Sequence, residues 1–248
     1  MPLNRKSQLI VLHLTKYSDS GMIVNAIDSS VGRCGFFLKG VGRNKSALLA
    51  NFHSLSILEA VIQASPKSDL HYLKEYSPVY SLSALRSDPV KSSIALFISE
   101  VLYRSLFEIS MDAKLFDWLC DTIKLLNDTD TSVANFHPWF LVGLCSKMGF
   151  HPQSNYSDTN RIFQITTENF IPDDSYSRSL EDTFSAELSY VLHRFLTSPF
   201  GEAMELQLSG TQRNAFSLKM LEYLSYHLGI NIRVKSLAVL HDIFANFV

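Results

Sequence analysis

The residues best suited to chemistry lie in one stretch near the N-terminus, residues 32–50, with the sequence GRCGFFLKGVGRNKSALLA. Read with the two-residue period of a β-strand, this stretch has two faces. One face is apolar and consists of Cys34, Phe36 and Leu38. The other combines cations with an aromatic ring and consists of Arg33, Phe37, Lys39, Val41 and Arg43, with Lys45 just beyond it.

Cations that follow phosphates, together with a ring that stacks on bases, are the groups that hold a single polynucleotide strand. We therefore expect this face to bind nucleic acid through Arg33, Phe37, Lys39, Arg43 and Lys45. The alternative is an ordinary outer strand with a partly buried Phe37, because one basic strand is common on protein surfaces.

A nucleotide-hydrolysing site is not expected in the same stretch. GVGRNKS resembles a phosphate-binding loop that ends in Lys-Ser, but that loop needs a glycine directly before the lysine. Asn44 occupies that position here.

The composition indicates a globular protein with a substantial core. The chain has 248 residues, of which 46% are hydrophobic and 19% charged. No apolar run approaches the length of a membrane helix, and the apolar run near the N-terminus has no cleavage site after it. Three widely separated cysteines favour a reducing compartment over a disulfide framework. We therefore expect a cytoplasmic protein with no membrane association.

The charge is distributed unevenly along the chain. Residues 1–80 contain nine basic and five acidic side chains, a net charge of +4, whereas residues 81–248 contain thirteen and nineteen, a net charge of −6. A basic first third suggests that a polyanion binds there.

The hydrophobic pattern changes from strand-like to helical near residue 80. Short β-rich runs at 8–16, at 22–28, in the stretch that starts at Gly32 and at 53–63, with an ambiguous fifth at 70–80, predict a five-stranded barrel of the oligonucleotide-binding (OB) fold. The remainder has helical spacing, and its first long helix is expected to begin at Asp88-Pro89. The predicted class is thus α+β: an OB-fold domain over residues 1–80, then an all-α domain over 81–248.

One irregular insert interrupts the helical domain at about residues 150–178. It contains one possible strand pair, RIFQI with ENFI.

No catalytic or metal site is expected. His137 and His151 flank a helix that carries Cys145, but a zinc site needs four ligands in a tight constellation, so structural histidines are the better interpretation. Cys34 alternates into the apolar face without a histidine partner, which disfavours a nucleophile. We predict a binding protein that is not an enzyme and uses no cofactor.

The order of these features resembles the RecO family of bacterial DNA-repair and recombination-mediator proteins. The likeness covers most of the chain and rests on the order of five segments: IVLHLTKYSDSGMIV, GRCGFFLKGVGRNKS, SLSILEAVI, DLHYLKE and, after a helical domain, the C-terminal RNAFSLKMLEYLSYHLGINIRVKSLAVL. It implies an OB-fold barrel fused to a helical domain. It further implies a non-enzymatic protein of the bacterial nucleoid that binds single- and double-stranded DNA and anneals complementary strands. Such a protein works with RecR to load RecA onto DNA coated by single-stranded DNA-binding protein.

The chain departs from the family pattern in one respect. Many members carry a cysteine zinc module after the helix that ends here near Gly149, whereas residues 150–178 contain no cysteine. We therefore expect the zinc module to be absent.

Two partner-related expectations follow. Docking the acidic tail of single-stranded DNA-binding protein would need a basic pocket, for which Arg104, Arg194 and Arg213 are candidates. The rival hypothesis is an interaction scaffold whose barrel binds a peptide or another subunit and never contacts nucleic acid.

Overall fold

The computed structural model describes residues 4–18, 21–39, 49–65, 70–107, 111–173 and 182–247. The chain forms two compact units, Met1–Asp128 and Thr129–Val248. The elements of the first unit are β1 (Asn4–Ser18), β2 (Gly21–Asp28), β3 (Gly32–Lys39), β4 (Ile57–Gln63), β5 (His71–Pro78), α1 (Ser83–Ser87), α2 (Pro89–Ser105) and α3 (Ala113–Asp128). Those of the second are α4 (Phe136–Lys147), β6 (Asn160–Gln164), β7 (Asn169–Pro172), α5 (Ala186–Thr197), α6 (Phe200–Met204), α7 (Gly210–Leu228) and α8 (Ser236–Phe247).

The five N-terminal strands form a closed barrel in the order β1-β2-β3-β5-β4. Closure depends on the long strand β1, whose first half pairs with β4 and whose second half pairs with β2. A short parallel pairing of β3 with β5 joins the other side. The predicted α+β class and five-stranded OB-type barrel are confirmed, including the ambiguous fifth strand.

The interior of the barrel is filled by alternate side chains from all five strands. From β3 it receives Phe36 and Leu38, both buried, with Cys34 packed against them. The remaining buried strand residues of this core are Leu9, Val11, Val24, Ala26, Leu58, Ala60, Ile62 and Leu73. The outer face of β3 is therefore the one that carries Arg33, Phe37 and Lys39, as the two-residue period indicated.

Helix α2 packs against the outside of β1. Ile10 and Leu12 are fully buried although neither belongs to the barrel core, and Ser99 on α2 donates a hydrogen bond to the Leu12 carbonyl. Asp88 caps the helix by accepting hydrogen bonds from the Val90 and Lys91 amides, as predicted. The first compact unit thus extends beyond the strands, and the domain boundary predicted near residue 80 stays a prediction.

Local backbone geometry explains where the strand and helix bounds differ from expectation. The fourth strand was expected from residue 53 but begins at Ile57, because Leu55 has a positive φ of 65° and a turn links His53 to Ser56. The short helices α1 and α6 have five residues each, which is too few for a helical period to show in the sequence.

The second unit packs helices against a two-stranded sheet. The strands β6 and β7 are antiparallel, which confirms the predicted pairing of RIFQI with ENFI. Phe163 of β6 is fully buried and meets the rings of Phe170, Phe184 and Tyr223 edge-on or tilted, at 5.2–5.6 Å between centroids. In the described part of the chain, no helix is both long and apolar enough to cross a membrane.

A buried ion pair holds the start of β1 to the end of β2. The Asp28 carboxylate is fully buried and accepts hydrogen bonds from Arg5 Nη2 (2.6 Å), the Ser7 hydroxyl (2.7 Å) and the Ser30 amide (2.9 Å). Burial alone would raise the pKa of Asp28, but the hydrogen bonds from Arg5, Ser30 and Ser7 outweigh it, so the pKa lies below its ordinary value.

We expect Asp28→Ala to lower the free energy of unfolding by about 3 kcal/mol, because it leaves the Arg5 guanidinium without its buried partner. The matched control is Asp158→Ala, which removes the exposed ion pair with Arg161 and should cost less than about 1 kcal/mol. Urea unfolding of both variants measures the difference. If both variants lost the same free energy of unfolding, the stabilising role of the Arg5–Asp28 pair would be contradicted.

A buried histidine makes the second unit sensitive to acid. His137 on α4 is 2% exposed and stacks on Phe244 of α8 at 5.6 Å. Burial, reinforced by the positive charge of Arg213, lowers the pKa of His137 to about 3. The unfolded chain therefore binds an extra proton below about pH 6.5, so this group reduces stability progressively as the pH falls from about 6.5 towards 3.

The free energy of unfolding of the wild type should fall between pH 7 and pH 5 by about 2 kcal/mol more than that of His137→Gln. The reason is that the variant has no imidazole at this position to bind a proton in the unfolded chain. Urea unfolding at the two pH values measures this, and His151→Gln, which alters an exposed imidazole, should behave like the wild type. If His137→Gln kept the full wild-type pH dependence, the assignment would be wrong.

Candidate nucleic-acid interface

Phe37 lies at the centre of an aromatic cluster on the outside of the barrel. Its ring meets Tyr17 of β1 edge-on at 5.3 Å and Tyr72 of β5 edge-on at 5.9 Å. We call these three residues and the neighbouring Lys39 the barrel aromatic cluster. Phe37 and Tyr72 are partly buried, whereas Tyr17 is 63% exposed. The ring most accessible to a stacking base is therefore Tyr17, with Phe37 supporting it.

Gly21 explains how the Phe37 ring reaches this position. A Cβ atom at Gly21 would lie 2.5 Å from Phe37 Cζ and 2.6 Å from Cε2. The ring thus lies directly over the β2 backbone, which only a glycine permits. Gly21 pairs with Lys39 in the β2–β3 register, so the first residue of β2, the ring and the cation belong to one small surface.

Lys39 supplies the positive charge of this cluster. Its side chain is exposed, and its ammonium group lies 4.4 Å from the centroid of the Tyr72 ring. An exposed cation–π contact contributes only about 0.5–1 kcal/mol. Lys39 can therefore turn from the ring to a phosphate at little cost.

Arg33 lies at the opposite end of β3, about 20 Å from Lys39 at the rise of a strand. Its Nη1 donates a 2.8 Å hydrogen bond to the Tyr103 carbonyl at the end of α2. Its guanidinium lies 4.5 Å from the Tyr103 ring centroid and 4.8 Å from that of Phe107. The structure thus separates Arg33 from the barrel aromatic cluster and associates it with a helix.

Two of the residues expected to bind nucleic acid, Arg43 and Lys45, lie outside the residues that the structure describes. The binding role of Arg33, Phe37, Lys39, Arg43 and Lys45 stays a prediction.

The three arginines considered for partner binding all have contacts within their own unit. Arg104 is paired with Glu100 at 3.9 Å. Arg213 is partly buried, and its Nη1 donates to the Leu208 carbonyl at 2.9 Å while its guanidinium lies 5.3 Å from the Phe244 ring centroid. Their role in partner binding stays a prediction.

Arg194 lines a cleft of about 550 Å³ in the second unit. Its Nη1 donates to the Tyr190 hydroxyl at 3.3 Å. Glu187, Glu202 and Glu205 line the same cleft, so carboxylates outnumber the guanidinium there.

The cysteine thiols are poor nucleophiles. Burial, with a smaller contribution from the nearby Asp28 charge, raises the pKa of Cys34 to about 12. Burial likewise raises the pKa of Cys120 to about 11. It raises the pKa of the fully buried Cys145 more than that of the other two thiols. At neutral pH all three groups are protonated, and the thiolate is the reactive form. Among the described residues, no group of three or more His, Cys, Asp and Glu side chains is arranged to hold a metal ion.

Sequence reasoning missed Tyr17 and Tyr72. The run QLIVLHL is apolar at most positions, and β1 has register irregularities at Val11/His13 and Lys16/Ser18, so simple alternation does not assign Tyr17 to a face. Tyr72 reaches the cluster through the parallel pairing Phe37–Tyr72, which joins residues far apart in sequence. The only available signal was the presence of tyrosines at the ends of two strand candidates.

Comparison with known proteins identifies the family. Residues 1–82 match the family described as "Recombination protein O N terminal", and residues 86–238 match "Recombination protein O C terminal".

Among curated relatives, a protein of Phocaeicola vulgatus is 31% identical over 243 residues, which is 97% of this chain and 99% of that protein. One from Christiangramia forsetii is 29% identical over 240 residues, or 96% and 98% of the two chains. One from Azobacteroides pseudotrichonymphae is 26% identical over 243 residues, again 96% and 98%. Each is named DNA repair protein RecO. With both family models matching in order along a barrel and helices of the expected kind, the chain belongs to the recombination protein O family.

Proposed function

We propose that this protein is a non-enzymatic DNA-binding recombination mediator of bacterial DNA repair. It binds and anneals single-stranded DNA and helps to load RecA during recombinational repair. The observation that carries the proposal is the barrel aromatic cluster, in which the exposed Tyr17 ring contacts Phe37, Phe37 contacts Tyr72, and the exposed Lys39 lies over Tyr72 on the outside of an OB-type barrel. Rings that stack on bases next to cations that neutralise phosphates suit a single strand of any sequence. The family name and the names of the relatives support the same role.

The proposed mechanism is electrostatic and sequence-independent. Lys39 neutralises a phosphate and releases its counterion, while a base that is not paired stacks on Tyr17. Two strands held with part of their charge neutralised repel each other less, so complementary segments pair faster than they do free in solution. Arg43 and Lys45 extend the positive surface beyond Lys39 in this proposal.

A second part of the proposal concerns proteins. Because residues 81–248 carry a net charge of −6, the helical part as a whole does not hold DNA by charge alone, and we assign to it the docking of RecR and of single-stranded DNA-binding protein. Arg104, Arg194 and Arg213 are the candidates for contact with the acidic tail of the latter. RecA is reached indirectly, through exchange on the DNA, and the protein works at the nucleoid with double-stranded DNA as a second ligand.

Two groups in the described part of the barrel that could take part in catalysis are engaged in the fold instead, which supports a binding role. The one thiol of the barrel, Cys34, is protonated at neutral pH, because its pKa is about 12. Asp28 is engaged with Arg5, Ser7 and Ser30 and holds two strands together. Neither group is placed to act on a bound polynucleotide.

We expect the affinity for a fluorescent oligothymidylate to fall steeply with salt. For about four neutralised phosphates, the logarithm of the binding constant should fall with the logarithm of salt concentration at a slope near −3. Fluorescence anisotropy at several salt concentrations measures this slope. A flat response would contradict the electrostatic account, and no binding even at low salt would favour the interaction scaffold instead.

We expect two single substitutions to act on different parts of this titration. Lys39→Gln should reduce the magnitude of the salt slope by about 0.7, because one phosphate contact is lost. Tyr17→Ala should weaken binding about ten-fold at every salt concentration without changing the slope, because stacking does not depend on counterion release.

The matched control is Lys235→Gln, which removes an exposed lysine from the second unit and should leave both slope and affinity unchanged. If Lys235→Gln and Lys39→Gln behaved alike, the barrel aromatic cluster would not be the binding site.

A further inference from the structure

A second cluster of rings and a cation lies where α2 ends. The guanidinium of Arg33 is within 5 Å of the centroids of the Tyr103 and Phe107 rings, and His13 of β1 meets Tyr103 edge-on at 4.4 Å. We call Arg33, Tyr103 and Phe107 the helix-end cluster. It repeats the chemistry of the barrel aromatic cluster, an aromatic ring beside a cation, with residues from a helix as well as from the barrel.

One function of this cluster is structural. The Tyr103 carbonyl is one of the last four of α2, which have no partner within the helix, and Arg33 donates to it. That bond uses one of the five N–H groups of the guanidinium. Helix capping therefore gives no role to the other four N–H groups.

Capping also does not explain Phe107. Its side chain is 52% exposed although it lies beside a cation, and it follows the last residue of α2 by only two positions. An exposed ring over a guanidinium provides a flat surface on which a base can stack, with N–H donors at its edge for a phosphate.

The paired rows between the two clusters contain no acidic side chain. In the β1–β2–β3 register, His13 pairs with Asn25 and Asn25 with Gly35. The next row contains Thr15, Ile23 and Phe37, and the Asn25 amide donates to the Thr15 hydroxyl at 3.1 Å. A Cβ atom at Gly35 would lie 3.2 Å from Ile23 Cγ2 and 3.5 Å from Leu70 Cδ1, so apolar side chains cover the strand there. A polyanion that follows β3 from one cluster to the other therefore meets no carboxylate in these rows.

Two guanidinium groups lie near His13 at this end of the surface. The pKa of His13 is lowered mainly by burial and further by the positive charges of Arg33 and Arg104. Arg104 is 48% exposed and is paired with Glu100 at 3.9 Å, so Arg33 is the cation that this surface offers to an anion.

We infer that the nucleic-acid surface continues from the barrel onto the end of α2, where the helix-end cluster is a second stacking site for the same single strand. The inference rests on the proposed function, since it assumes that the barrel aromatic cluster binds the strand first. A single strand fits better than a protein partner, because the cations of the two clusters, Arg33 and Lys39, are about 20 Å apart along β3 and the rows between them mix polar with apolar residues rather than forming one apolar patch.

The length of the oligonucleotide tests this inference. An oligothymidylate of about four nucleotides should occupy one cluster, whereas one of about 16 nucleotides should reach both. We expect Phe107→Ala to weaken binding of the long oligonucleotide about ten-fold and that of the short one less than two-fold. Tyr17→Ala should weaken both.

Three measurements separate stacking from structural effects. Phe107→Tyr keeps a ring and should bind both oligonucleotides like the wild type. Tyr226→Ala removes a ring of equal exposure, 53%, from the second unit and should change neither affinity. Far-UV circular dichroism of Phe107→Ala should match the wild type, because the ring is largely exposed.

The outcomes distinguish this inference from the proposed function. Suppose that Tyr17→Ala weakens binding, but Phe107→Ala leaves the affinity for both oligonucleotides unchanged or weakens both equally. The second stacking site is then overturned, while the barrel aromatic cluster stands as the binding site. If the wild type binds neither oligonucleotide at low salt, the proposed function fails, and this inference fails with it.

A photo-crosslinking experiment gives an independent answer in the wild-type protein. A long oligonucleotide with one photoreactive 5-iodouracil near either end should crosslink to Tyr17 or Tyr72 from one end and to Tyr103 or Phe107 from the other. Crosslinks confined to the barrel from both positions would overturn the second site.

Discussion

Closure of the barrel is the constraint on which the functional surface depends. Because β1 pairs with β2 along one half and with β4 along the other, the sheet has a definite inside and outside. Each strand then presents alternate residues to the core, and a shift of one residue would exchange the two faces. With Phe36 and Leu38 in the core, Arg33, Phe37 and Lys39 must face outwards. The candidate interface is thus a consequence of the same packing that stabilises the barrel.

The cations of this outer face are held by rings rather than by carboxylates. Lys39 lies over Tyr72, and Arg33 lies beside Tyr103 and Phe107. A ring orients a cation but neutralises none of its charge, whereas an ion pair would cancel the charge that attracts a phosphate. Asp28, the buried carboxylate of this region, is instead engaged with Arg5. This division leaves the charges of Lys39 and Arg33 available to an anion, although the whole chain carries a net charge of −2.

The second unit has a different chemical character. Its core is rich in aromatic residues, with Phe163 in contact with both Phe184 and Tyr223, and one of its histidines, His137, is buried and neutral. The cleft beside Arg194 is lined mainly by carboxylates and uncharged residues. In this respect the second unit differs from the barrel, whose outer face combines an exposed ring with an exposed cation.

The sequence by itself determined the class of the fold, the strand count and the two faces of β3. Those properties depend on periods of two and 3.6 residues, which are local and visible in one chain. The sequence also indicated that Arg33, Phe37 and Lys39 face outwards and that β6 pairs with β7. Only the tertiary structure decided which residues contact Arg33, Phe37 and Lys39. Tyr72 reaches Phe37 through a parallel pairing, Tyr17 through a strand with register irregularities, and Phe107 reaches Arg33 from a helix more than 70 residues later. Contacts between residues so distant in sequence depend on how the barrel closes and where α2 packs, and no local pattern contains that information.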